Sequence, residues 1–113
     1  MRNMIGDTIE KIEGRIRSTN SIKAESKTEL LALLGTLKSE ITELSKSDVD
    51  HAQSIASFAG VSTHEATRDV KNPELLKLAI DGLTTSVEGF EASHPKLVHI
   101  VNSICRTLAN LGI

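Results

Sequence analysis

Four histidines, one cysteine and a scatter of carboxylates are the side chains through which this 113-residue sequence could do chemistry. Glu91 and His94 stand at the i,i+3 spacing that carboxylate-bridged metal sites use on helices. Such sites also need inward-facing carboxylates from neighbouring helices, and the apolar seams here are Leu, Ile and Val. The pair is therefore a weak metal candidate, and Ser93, His94 and Pro95 read first as a structural corner tied down by hydrogen bonds. His64-Glu65 is half of a zinc-protease motif, but the second histidine's place is taken by Arg68. Asp48, Asp50 and His51 are accounted for by a helix cap and a solvated face. His99, five residues past His94, does not share a helix face with it. Cys105 falls between Val101 and Leu108 at core-flanking spacing, where a thiol is expected to be buried and inert. Thr63, His64, Thr67 and Arg68 make a polar stretch that reads as a solvated linker before it reads as a partner-binding patch. No glycine-rich phosphate loop and no nucleophile elbow is present. No catalytic, cofactor-binding or metal-binding residue is expected, and no cofactor.

The elements that must position these groups come from a core almost without aromatics: two Phe, no Trp and no Tyr. Leu, Ile, Val and Ala must fill it, which suits packed helices. The same shortage removes the stacking platforms that single-stranded nucleic acid needs, and a net charge of −2 lacks the basic face of a DNA binder. Arg2, Lys11, Arg15 and Arg17 lie on the first helix, but Asp7, Glu10 and Glu13 neutralise that face. No apolar run approaches a membrane span. One cysteine cannot form an intrachain disulfide, so a cytoplasmic location is expected, with neither nucleic acid nor membrane as partner.

Helical periodicity dominates. Ile5, Ile9, Ile12 and Ile16 form a stripe on a helix over about 3–18, and Leu30, Leu34, Leu37, Ile41 and Leu44 a seam over about 24–46, widened by Leu31 and Leu33. The short link between them makes an antiparallel hairpin. Residues 47–72 are richer in Ser, Thr, Ala and Asp. Asp48 is expected to cap a short helix stopped by Gly60, and Ser62 with Glu65 has capping-box spacing for another short turn. We expect this segment to be a partly helical connector and the place for disorder or induced fit. Asn72, Pro73 and Glu74 then give a clear helix start. Its seam is Leu76, Ile80, Leu83, Val87 and Phe90, followed by Leu97, Val101, Ile104, Leu108 and Leu111 to Gly112.

Pro95 decides how those last two seams connect. A proline costs about 3 kcal/mol in a helix interior and disfavours helical angles at the residue before it, so a corner between helices 73–92 and 95–111 is expected. The apolar phase nevertheless runs unbroken from Leu76 to Leu111, which leaves open one long Pro-kinked helix over 73–111. The fold expected is all-α, a single helical domain over 1–113: an N-terminal hairpin (1–46), a connector (47–72) and a C-terminal hairpin (73–113), packed as a bundle.

The ending F-E-x-S-H-P-x-L…L-A-N-L-G-I, preceded by a hairpin carrying TELLALL, resembles a family of small bacterial proteins known only as a domain of unknown function. The resemblance covers about 5–46 and 73–113. It implies an all-helical fold and transfers no catalytic residue. The narrow, leucine-rich seams have the geometry of coiled-coil packing. We therefore expect a non-enzymatic structural or interaction protein that forms a homo-oligomer, a dimer first, or binds a protein partner. The alternative is a small metal-binding or regulatory protein using Glu91, His94 and the connector histidines.

Overall fold

Each apolar seam wraps its side chains to one side of a helix, and the helices assemble by turning those sides towards one another. A computed structural model describes residues 4–112, in five helices: α1 (Met4–Ser18), α2 (Ala24–Ser45), α3 (Val49–Thr67), α4 (Pro73–Ser86) and α5 (Pro95–Gly112). Among the described residues there is no strand. Arg2 and the expected helix start at residue 3 lie outside them. One continuous core takes in all five helices, including every isoleucine of the α1 stripe and every residue of the α2 seam. Leu76, Leu83, Val87, Leu97, Val101, Ile104 and Leu108 are buried with them, while Ile80, Phe90 and Leu111 are partly buried against the core.

The expected connector is the main difference. Instead of short turns joined by loop, residues 49–67 form a continuous helix of 19 residues. Asp48 caps it, accepting the His51 backbone N–H at 3.0 Å and meeting His51 Nδ1 at 2.8 Å. The backbone hydrogen bond is the main reason its carboxyl titrates below the ordinary carboxylate value. Gly60 does not stop the helix. A Cβ there would lie 3.7 Å from Ile12 Cδ1, an ordinary packing contact, and Gly60 sits inside the helix beside α1. Ser62 and Glu65 form no capping box, because both are buried within the helix that runs on to Thr67. α3 packs against α1, α2, α4 and α5 alike. A helix covered on so many sides needs small buried residues all round, here Ala52, Ala56, Ala59 and Ala66 with Ile55, and shows no single apolar stripe.

At the other end, Asn72 caps α4 by accepting the Leu75 N–H at 3.2 Å, with Pro73 in the first turn. α4 ends at Ser86, short of residue 92. Its chain reverses through Gly89, whose φ of 95° is a left-handed conformation open to glycine at no steric cost. His94 N–H donates to the Phe90 carbonyl at 2.8 Å, and α5 begins at Pro95. The chain therefore breaks between 87 and 94, and the long kinked helix does not form. The unbroken apolar phase arises because Phe90, on the turn, and Leu97, on α5, both face the core. α4 packs on α3 and α5 and, among the described residues, touches neither α1 nor α2.

Candidate functional site

At the corner, His94 Nδ1 lies 3.0 Å from Ser93 Oγ, and its ring meets the Phe90 ring edge-on at 5.7 Å. His51, from the first turn of α3, meets the same Phe90 ring at 5.3 Å. Phe90 thus joins the corner to the start of α3. Glu91 is exposed and does not turn towards His94. Its carboxylate accepts the Gly89 N–H at 2.8 Å, holding the turn. Among the described residues no group of three or more His, Cys, Asp or Glu could hold a metal ion.

The remaining chemistry-bearing residues are dispersed. His64 is exposed, 3.8 Å from Glu65, whose carboxylate accepts from Arg68 Nη1 at 2.8 Å. His99 is exposed. Cys105 is buried, with its Sγ 3.5 Å from Thr84 Oγ1, and burial pushes the thiol pKa up, which keeps it from acting as a thiolate.

The polar stretch of α3 is not a solvated linker, because Thr63 and Thr67 are buried. Arg15 Nε donates to Thr67 Oγ1 at 2.7 Å, and that hydroxyl donates onward to the Thr63 carbonyl at 2.7 Å. Ser21 Oγ donates to the Thr67 carbonyl at 3.2 Å, Lys27 Nζ to the Arg17 carbonyl at 3.2 Å, and the Lys71 ammonium to the Ala66 carbonyl. A cleft of about 590 Å³ opens here beside Arg15, Ser21 and Arg68. The cations around it sit at the C-terminal ends of α1 and α3, where carbonyls lack intrahelical partners and carry partial negative charge. They hold helix ends together, and Arg68 is already paired with Glu65.

Among the described residues, large apolar side chains are also left exposed: Val49 at the start of α3, Val70 in the link to α4, and four more on α3 and α4. Phe58 and Val61 on α3 are 40% and 50% exposed, and Leu75 and Leu78 on α4 are 42% and 67% exposed. Phe58 lies directly on Gly82, where a Cβ would come within 2.4 Å of its ring. That contact fixes the antiparallel register of α3 and α4. One turn along α3 from Phe58 is Val61, and one turn back along α4 from Gly82 is Leu78, so all four side chains fall on one outer face. Periodicity missed them because none belongs to a seam. The available signal was surplus: α4 carries Leu75, Leu76, Leu78 and Ile80 within six positions, more than a single stripe uses.

A family model described as a domain of unknown function, DUF4404, matches residues 30–113. The chain belongs to the DUF4404 family. The matched DUF4404 range runs through α3 without interruption, where the resemblance seen in the sequence skipped from 46 to 73. It also contains all four residues of the exposed face. α1 and the first turns of α2 precede it. No curated protein and no solved structure matches this DUF4404 chain. A domain of unknown function lends no active-site residue, so function has to be argued from the geometry.

Proposed function

We propose that this DUF4404 protein is a non-enzymatic helical interaction module that engages a protein partner through the outer face of α3 and α4. The observation that carries the reading is the cluster of Phe58, Val61, Leu75 and Leu78, large apolar side chains between 40% and 67% exposed on neighbouring helices. Scaled by typical side-chain areas, these fractions expose on the order of 300 Å² of apolar surface, the size of the largest patch on a typical monomer and often a binding site. The seams that suggested oligomerisation in the sequence are largely buried inside the chain, which supports looking for a partner on an exposed face rather than on a seam. Self-association through the same face is the second reading, motivated by Leu78 as its most exposed leucine. The polar places support a non-catalytic reading: burial raises the Cys105 thiol pKa, and Arg15, Lys27, Arg68 and Lys71 are engaged with neighbouring hydroxyl, carbonyl and carboxylate groups.

Site-specific photo-crosslinking in the native cell tests the proposal. A crosslinker at Leu78 is expected to give one discrete adduct, and one at exposed Ser39 on α2 none. No adduct at Leu78, or equal labelling at both positions, overturns it. The adduct mass distinguishes a second copy from a different protein.

A further inference from the structure

The face is not charge-neutral, and its charge points to the class of partner. The carboxylates of Glu74 and Asp81 on α4, and of Glu88 just past it, are exposed and have no ion-pair partner among the described residues. Against these three, α4 carries a single cation, Lys77. Asp81 and Glu88 also line a groove of about 410 Å³ between α3 and α4, whose apolar wall is the Phe58 ring and whose other end is His51. Residue 82 is glycine, which lets one edge of the Phe58 ring approach the α4 backbone where a Cβ would clash. An apolar ridge beside a carboxylate-lined groove with an aromatic wall suits a cationic side chain. The carboxylates pair with an ammonium or guanidinium, and the ring face attracts it further.

Resting on the reading above, we infer that this face takes a basic amphipathic helix. Its apolar stripe would lie along Phe58, Val61, Leu75 and Leu78, and a Lys or Arg side chain would enter the groove towards Asp81 and Glu88. This is helix-in-groove recognition with electrostatic complementarity. A second copy offers no comparable charge complementarity. In two α4 helices meeting antiparallel, with Leu75 of one on Leu78 of the other, Glu74 of each would lie as near Lys77 of its mate as Asp81, whereas a basic helix would face Glu74, Asp81 and Glu88 with cations.

Fluorescence anisotropy with two synthetic peptides tests the inference: a labelled Leu/Lys amphipathic helix, and its counterpart with every Lys replaced by Glu. The basic peptide is expected to bind at least tenfold more tightly at physiological salt, and more weakly as salt rises. The double variant Asp81→Asn/Glu88→Gln should lose about tenfold in affinity for the basic peptide and flatten the salt dependence, with an unchanged melting temperature. Leu78→Ser should weaken binding while leaving the salt dependence in place. Equal affinity for both peptides, or full affinity in the carboxylate double variant, overturns the inference. So does a dimer in light scattering that Leu78→Glu converts to monomer, since the occupant is then a second copy. A discrete heterologous adduct at Leu78 without basic-peptide binding would sink this inference alone. Absence of any adduct there would sink the interaction reading itself.

Discussion

Ile55 lies in the middle of α3 and is fully buried, so replacing it with alanine measures whether that helix is part of the core. The substitution removes three carbons from a site touched by several helices. At about 0.8 kcal/mol per buried carbon the transfer loss is about 2.4 kcal/mol. The unfilled cavity brings the total to about 3 kcal/mol, inside the range seen for large-to-small core changes. With an unfolding entropy of about 2.1 cal/mol/K per residue, that loss lowers the melting temperature by roughly 12 °C for a chain of this length. Urea unfolding followed by far-ultraviolet circular dichroism reads the free energy, and a thermal scan reads the melting temperature. Ser57→Ala, at an exposed position of the same helix, should stay within about 0.5 kcal/mol of the parent. If Ile55→Ala also stays within about 0.5 kcal/mol, with an unchanged denaturant slope, α3 is a dispensable connector and the packing described above is wrong.

Two further outcomes follow from the polar contacts. Thr67→Val removes the hydroxyl that accepts from Arg15 and donates to the Thr63 carbonyl, and should cost about 1–2 kcal/mol in urea unfolding, while Thr67→Ser should recover most of it. Cys105 has a folded-state pKa raised above its ordinary 9.0, chiefly by burial. As pH climbs past that value the unfolded chain ionises first, so stability that is fully present below it declines through the raised folded value. Melting temperatures taken between about pH 7 and about pH 10 should fall less steeply in Cys105→Ala than in the parent.

Much of this architecture was legible because α1, α2, α4 and α5 each lean on one side of a shared core, and one-sided burial writes a 3.6-residue stripe into the sequence. α3 is flanked by all four, so its alanines face inward in several directions and imitate the composition of a loop. Gly60 and the Ser62–Glu65 pair misled for a related reason. A glycine inside a continuous helix, and a serine and glutamate buried within it, look like stop and start signals when only spacing is known. Pro95 was read correctly as a helix start because its effect is local to the backbone. The end of α4 was not, since Val87 and Phe90 keep facing the core after the helix has stopped. The exposed face was invisible to pattern: Leu75 and Leu78 differ from Leu76 only in which way the assembled bundle turns them.

The position of α3 also bears on where a working piece of this protein could be cut. The family match starts at residue 30, inside α2. A fragment starting there would lack the four isoleucines of α1, leaving Ile12's place against Gly60 empty and the α2 seam open along one side. It would also lose Arg15, the donor to Thr67 at the far end of α3. The matched segment is thus shorter than the unit that packs together in this chain. A fragment meant to keep α3 covered must begin before α1.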